Sequence, residues 1–323
     1  MVTTYHSNDK SRSVAGSILD LPIGILLDVS EYLSKPSKAL LAVAMTASHA
    51  LWKKDINLQP QLSEVSTAII SPSLQWQTLD FSDVDKSLSE NLSDDDIAAL
   101  LTCVNAKDTL KKLILTGLVN IVGHGLYPLR GSNMLEQIDL SLASKYENPD
   151  IQTKPRIAHG VILPILESII ATTGCSLKYI QFPQKWRSEN QCILGEFIEK
   201  YNHHFQSRNL SCVQCNTSMN HNETWLSENM YHYNTCYDCL SNTCDDCEHS
   251  NNDSHPFRLC NNCKKDYCVK CLPMNDCVRC DEQLCDRCMR MCGKCSRSFC
   301  TDCFAFCNIC LFCVKDMRHL EIS

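Results

Sequence analysis

Ten Cys-x-x-Cys pairs crowd into the last third of this chain, and nothing else in the sequence limits the fold so tightly. In order they are Cys212/Cys215, Cys236/Cys239, Cys244/Cys247, Cys260/Cys263, Cys268/Cys271, Cys277/Cys280, Cys285/Cys288, Cys292/Cys295, Cys300/Cys303 and Cys307/Cys310, with Cys313 beyond them. A CxxC turn faces two thiolates toward one ion while backbone N–H groups point at the sulfurs, and two such turns close a tetrahedron. Paired in this way, the cysteines predict about five zinc ions in a module over residues 212 to 315.

The spacing also bears on connectivity. Four residues separate Cys239 from Cys244, Cys263 from Cys268, Cys280 from Cys285 and Cys295 from Cys300. Extended at about 3.3 Å each, four residues span roughly 13 Å and carry the chain away from one ion toward the next. Neighbouring pairs therefore serve different ions, and the expectation is an interleaved order in which the first pair joins the third and the second joins the fourth. Tyr267, Leu284 and Phe299 each precede the second pair of a set and supply packing groups between ions. A metallothionein would favour CxC runs without aromatic residues. Cys307-x2-Cys310-x2-Cys313 is a spacing also met in iron–sulfur ligation. His221, His232, His249, His255 and His319 could each replace a cysteine at an edge site.

Composition narrows the functions. Of 24 cysteines, all but Cys103, Cys175 and Cys192 lie between Cys212 and Cys313. The polar start Met1-Val-Thr-Thr-Tyr-His does not read as a secretory signal, so a cytoplasmic or nuclear protein with metal-bound thiols is expected. The most apolar stretch, 161 to 172, is short and broken by Pro164 and Glu167, which predicts no membrane span. Residues 212 to 323 carry 11 Lys and Arg against 15 Asp and Glu, a balance of −4. Each ion held by four thiolates adds a formal −2, which disfavours nucleic acid as a partner. Four-cysteine sites are closed, and no Gly-rich phosphate loop or nucleophile–base set is evident, so no catalytic activity is expected. His124, within Gly-His-Gly, and His159 read as turn residues.

The first two thirds read differently. Residues 1 to 17 are Ser/Thr-rich without apolar period and predict a disordered tail. From Asp20, a helical period of Ile25, Leu26, Val29, Tyr32 and Leu33 follows Pro22, and Ser34-Lys-Pro-Ser37 separates it from a second period through Leu40, Leu41, Val43, Ala44, Ala47, Leu51 and Trp52. Beyond residue 60 a template of apolar-x-x-apolar-x-apolar fits at Trp76/Leu79/Phe81, Leu110/Leu113/Leu115, Leu135/Ile138/Leu140 and Leu177/Ile180/Phe182. Helices are predicted between these strands at 94 to 104 and 160 to 172. Residues 201 to 211, polar and without period, read as a linker.

Three resemblances accompany these readings. Leu21-Pro-Ile-Gly-Ile-Leu-Leu-Asp-Val-Ser-Glu-Tyr-Leu33, with Leu40-Leu-Ala-Val43 and Trp52, resembles an F-box, although Gly24 stands where that family usually has Glu. The resemblance implies that Leu21, Pro22, Ile25, Leu26, Val29, Tyr32, Leu33, Leu40, Leu41, Val43 and Trp52 dock on a Skp-family adaptor of a cullin ligase. The segment from Leu110 to Leu129, continued at Leu135-Glu-Gln-Ile-Asp-Leu-Ser141, is similar to the leucine-rich repeats that commonly follow an F-box. The cysteine array looks like the cross-brace zinc class of RING, B-box, ZZ and FYVE domains without matching one of them.

Together these predict a multi-domain chain: a tail over 1–17, an F-box-like helical hairpin over 18–58, an irregular α/β leucine-rich-repeat-like segment over 59–200, a linker over 201–211 and the zinc module. The function the resemblances imply is that of a substrate-recognition subunit in an SCF-type ubiquitin ligase, acting on a protein substrate the sequence does not name. A RING-like protein that recruits a ubiquitin-conjugating enzyme directly, and a non-catalytic zinc scaffold, are the alternatives.

Overall fold

Four strands laid side by side in sequence order organise the central part of the molecule. The computed structural model describes residues 32–51, 76–142, 156–183, 186, 191–206, 210–217, 235–244, 247, 257–261, 263, 265–268, 270–286, 288–300 and 303. The chain divides into two units, Met1–Leu74 and Gln75–Ser323.

The described part of the first unit is a single helix, α1 (Lys35–Leu51). The Ser34-Lys-Pro-Ser37 segment begins this helix. Ser34 accepts from the Ser37 N–H at 3.4 Å and its carbonyl from the Lys38 N–H at 2.8 Å. Proline suits the first turn, where its missing N–H costs nothing. Ala39 and Ala42 are fully buried, Leu33, Leu40, Leu41 and Val43 are half-buried, and Tyr32 is 90% exposed. Leu21, Pro22, Ile25, Leu26, Val29 and Trp52 lie outside the described residues.

In the second unit, β1 (Thr78–Asp80), β2 (Lys112–Ile114), β3 (Gln137–Asp139) and β4 (Tyr179–Gln181) pair in parallel in the order β1-β2-β3-β4. Leu79, Leu113, Ile138 and Ile180 lie in one register row. Each strand sits inside one copy of the apolar template, and every template residue from Trp76 to Phe182 is buried, at 4% exposure or less. A parallel ladder whose strand order never reverses needs every connection to return on the same side. Those connections hold α2 (Lys86–Ser89), α3 (Asp94–Cys103) and α4 (Ala106–Thr109), then a 3-10 helix at His124–Leu129, then α5 (His159–Ile170). The core lies between the template side chains and the buried faces of these helices, which include Ile97, Leu100 and Leu101 of α3 and Ile162, Ile165 and Ile169 of α5.

Local chemistry sets the ends of α3. Ser93 and Asp96 form a capping box, with the Ser93 N–H donating to Asp96 at 2.9 Å and the Asp96 N–H to Ser93 Oγ at 3.3 Å. Asp94 then accepts from the amides of Val122 (2.7 Å), Gly123 (2.9 Å) and Gly125 (2.7 Å), tying the next connection to the helix start. His124 is exposed at the head of the 3-10 helix and His159 opens α5.

A sixth helix, α6 (Gln191–Gln206), runs into the segment whose composition reads as a linker. Its reason is aromatic. Phe197 and Tyr201, one turn apart, stack at 6.2 Å, and Tyr201 is fully buried. His203 and His204 occupy the last turn, where basic side chains suit the helix dipole. Among the described residues no helix is long and apolar enough to cross a membrane.

Candidate metal centres and their contact with the sheet

The cysteine region is a run of small hairpins, each built around a CxxC knuckle. Three are complete: β5 (Phe257–Leu259) with β6 (Asp266–Cys268), β7 (Met274–Asp276) with β8 (Gln283–Cys285), and β9 (Arg290–Met291) with β10 (Ser298–Phe299), all antiparallel. A bridge between Thr235 and Asn242 marks a shorter one. In each, and at Cys212, the first knuckle cysteine donates its N–H across the loop: Cys212 to Thr217 (3.0 Å), Cys236 to Ser241 (2.9 Å), Cys260 to Lys265 (3.0 Å), Cys277 to Glu282 (2.9 Å) and Cys292 to Arg297 (3.0 Å). The turn closes on a residue with positive φ after the second cysteine, namely Asn216 (57°), Leu240 (58°) and Asp281 (57°). The pair that follows each hairpin is different, a single helical turn in which Cys247 donates to Cys244 (3.0 Å), Cys271 to Cys268 (3.0 Å) and Cys288 to Cys285 (2.8 Å).

Knuckles and turn pairs from successive hairpins converge in four tetrads. They are Cys212, Cys215, Cys244 and Cys247; Cys236, Cys239, Cys268 and Cys271; Cys260, Cys263, Cys285 and Cys288; and Cys277, Cys280, Cys300 and Cys303. Within each, all four sulfurs lie within 4.8 Å of one another. Across the two pairs the separations are 3.7 Å (Cys215 to Cys244), 3.8 Å (Cys239 to Cys268), 4.0 Å (Cys263 to Cys285) and 3.7 Å (Cys280 to Cys300). Four sulfurs about 2.3 Å from one ion stand about 3.8 Å apart, so the donor set and its dimensions fit a tetrahedral metal ion such as zinc.

Without an ion, the surroundings favour the thiolate at some of these sulfurs and the thiol at others. The Thr217 hydroxyl and N–H bring the Cys215 thiol down to about 6. At Cys239 burial opposes, but the hydroxyl and N–H of Ser241 outweigh it and leave the thiol at about 7. Burial pushes Cys236 up to about 11. The amides of Cys268, Cys285 and Cys300 each donate at 3.3 Å to the first knuckle sulfur of their own tetrad.

The stagger corrects the expected order. The first pair does join the third, but the second joins the fifth, the fourth the seventh and the sixth the ninth. The physical cause is that a knuckle meets the turn pair of the next hairpin rather than of its own. The residue after the first knuckle cysteine donates to that next hairpin every time, from Val213 to Asn242 (2.8 Å), Tyr237 to Asp266 (2.8 Å), Asn261 to Gln283 (3.0 Å) and Val278 to Ser298 (3.2 Å). The result is a running ladder and not a separate two-ion brace. Tyr267, Leu284 and Phe299 are buried between its steps, as the pattern predicts. Where the cysteine count leads to about five ions, the described residues contain four tetrads. Cys307, Cys310 and Cys313 lie outside the described residues, as do His221, His232, His249, His255 and His319.

One feature escaped the sequence. The apolar template says nothing of the strand residues between its positions, yet Gln137, Asp139, Tyr179 and Gln181 are buried too. The ladder covers them. Tyr237, inside the Cys236/Cys239 knuckle, donates its hydroxyl to Asp139 at 2.7 Å, and Lys265, two residues past the Cys260/Cys263 knuckle, donates to the same oxygen at 2.6 Å. Gln137 donates to the Tyr237 carbonyl at 3.0 Å. Lys265 Nζ also stands 3.9 Å from the Tyr237 ring centre, and that ring meets Tyr179 edge-on at 5.4 Å. Burial pushes the Asp139 carboxyl up, but Lys265, Ser141 and Tyr237 more than offset it, and it lies below its ordinary value. Burial likewise lifts the Tyr237 phenol well above its usual range.

No protein-family model, curated protein or solved structure matches this chain.

Proposed function

We propose that this chain is a non-catalytic protein-interaction subunit whose cysteine ladder is held by zinc. The closed tetrads carry this reading. Four sulfurs surround each candidate ion position, which leaves no coordination site for water or substrate, as structural zinc requires and catalytic zinc does not. Zinc titration into the metal-free chain, with binding measured by a chromophoric chelator and folding by circular dichroism, tests it. Zinc uptake without gain of protected structure would sink it.

Within that reading we place the chain as the substrate-recognition subunit of an SCF-type ubiquitin ligase, in the cytoplasm or nucleus. The support is the order of parts: the Leu21 to Trp52 segment that resembles an F-box, then parallel strands on a leucine-rich-repeat-like template, then the ladder. Catalysis would belong to associated proteins and positioning to this one. The deciding experiment is a pull-down of the full chain with a purified Skp-family adaptor, against a variant carrying Leu21→Asp and Pro22→Ala. Binding that the variant loses supports the proposal. Absence of binding by the natural chain rejects it.

The running stagger of the ladder weighs against the RING-like alternative, because a two-ion brace joins its second pair to its fourth. Self-ubiquitination by the full chain with a conjugating enzyme, in the absence of adaptor and cullin, would favour that alternative instead.

A further inference from the structure

The two sulfurs of a knuckle are held differently. The first accepts a backbone amide, from the turn pair it meets in three tetrads and from Gln214 at 3.4 Å in the Cys212 tetrad. The second lies nearer solvent, exposed at Cys215, Cys239 and Cys280 and half-buried at Cys263. At Cys215 and Cys239 a hydroxyl holds it. Thr217 Oγ1, two positions past Cys215, stands 2.7 Å from that sulfur, and Ser241 Oγ, two past Cys239, stands 3.0 Å from its own. A thiolate has no proton to give, so with zinc bound the hydroxyl is the donor. At Cys263 the equivalent residue is Lys265, which turns to Asp139 instead, and the hydroxyl of buried Tyr267 faces the sulfur at 3.7 Å.

The Cys277 tetrad departs from this pattern. Two positions past Cys280 stands Glu282, exposed, and an ionised carboxylate only accepts. Among the described residues no hydroxyl reaches the Cys280 sulfur. Groups that hydrogen-bond a metal ligand fix its orientation, and loss of one typically costs about 10- to 100-fold in metal affinity.

We infer that Thr217, Ser241 and Tyr267 secure the zinc of their own tetrads through the second knuckle thiolate, and that the Cys277 tetrad, without such a donor, is the exchangeable site of the ladder and gives up zinc first. The inference rests on the zinc reading above. Burial alone points the other way, because the Cys212 tetrad has one exposed and one half-exposed cysteine, whereas three of the four in the Cys277 tetrad are buried. The site that opens is the one that holds β9 and β10. Val278 donates to Ser298 of β10, and the Cys300 amide donates to the Cys277 sulfur. Loss of this ion therefore frees the β9–β10 hairpin, while the Cys236 tetrad, whose knuckle presents Tyr237 to Asp139, keeps the ladder on the sheet. As free zinc falls, the ladder opens at that hairpin before it opens at the sheet.

The zinc-loaded full chain can be titrated with EDTA while iodoacetamide labelling of each cysteine is read by peptide mass spectrometry. In the natural chain Cys277, Cys280, Cys300 and Cys303 should become labelled at about 10- to 100-fold less chelator than the other three tetrads. Thr217→Val and Ser241→Ala should each bring forward only the tetrad of the substituted residue, by a similar factor. Glu282→Thr should delay the Cys277 tetrad. The Glu282 side chain is exposed and the turn uses its carbonyl, which accepts from the Cys277 N–H, so this variant keeps the knuckle. Glu282→Ala removes the charge without adding a donor and should give no delay. Labelling of the Cys212 tetrad at or before the Cys277 tetrad, release unmoved by Thr217→Val, or an equal delay from Glu282→Ala would each overturn the inference. Labelling of all four tetrads without chelator would instead reject the zinc reading.

Discussion

Lys265 and Asp139, separated by 126 positions in sequence, form a 2.6 Å ion pair in which the carboxylate is fully buried and the lysine side chain 13% exposed. The same oxygen accepts from Tyr237. Tyr237 sits inside a cysteine knuckle and Lys265 two residues past one, so the turns of two candidate metal sites also fasten the ladder onto β3.

Asp139→Asn should loosen this contact. Removing one partner of a buried pair costs about 3–5 kcal/mol, because the other charge is left uncompensated. The slight exposure of Lys265 places the expected loss near the low end. Hydrogen exchange at β3 and β4 should rise while zinc content stays unchanged. Unaltered exchange would show that the ladder is held to the sheet by other contacts.

The tetrads should differ in reach. Cys236→Ser with Cys239→Ser disrupts the knuckle that presents Tyr237, so it should cost one zinc ion and also free the sheet face. Cys277→Ser with Cys280→Ser should cost one ion and leave the Asp139 contact in place. The near-ultraviolet dichroism of Tyr179, Tyr237 and Tyr267, which pack ring against ring, separates the two cases. Equal spectra for the two variants would contradict this.

A knuckle can be broken without touching a ligand. Asp281 has φ 57° and donates its N–H to the Cys277 carbonyl at 2.9 Å. Proline fixes φ near −65° and has no N–H. Asp281→Pro should therefore cost about 3 kcal/mol or more at that turn and release the ion of the Cys277 tetrad. Asp281→Gly should keep it, since glycine adopts this φ freely.

Acid should act in a fixed order. The Asp139 carboxyl lies below its ordinary value of about 3.9. Its contribution to stability is present above that value and is lost only as pH falls through the depressed one. Zinc ligation needs thiolates, and protons compete for them from the neutral range downward. Zinc release, followed by a chromophoric chelator, should precede protonation of Asp139, and the tyrosine dichroism should change with the zinc. Tyrosine signals that persisted after zinc loss down to about pH 4 would show that the latch stands without metal.

The parts legible in the sequence are those with local periods. The strand template marks residues that are all buried, and the Asp-Asp-Asp start of α3 carries its capping box at Ser93. The CxxC spacing shows that adjacent pairs serve different ions, but the choice between third, fourth and fifth partner depends on how hairpins stack, which spacing alone does not encode. Gln137 and Asp139 occupy positions that alternate with the buried template, and they are covered only because Tyr237 arrives from about a hundred residues away. Local polarity, which makes 201–211 read as a linker, hides the Phe197–Tyr201 stack that extends α6.

Gly125 offers a test on the opposite side of the second unit. A Cβ there would stand 2.6 Å from the Asp94 carbonyl oxygen and 2.9 Å from Ile97 Cβ, closer than real Cβ contacts come. The first neighbour is backbone and cannot rotate away. The glycine amide also donates to the Asp94 carboxylate at 2.7 Å, one of three amides that this carboxylate gathers. Gly125→Ala must push the 3-10 helix at His124–Leu129 off α3 and strain those bonds together. Overpacking of this kind costs about 1–3 kcal/mol, against a gain of a few tenths to 1 kcal/mol that alanine brings by restricting the unfolded chain. The balance is destabilising, and urea unfolding should show a lowered midpoint. Zinc content should not change, because this turn packs on α3 and α5. A midpoint equal to that of the natural chain would mean that the connection yields without cost.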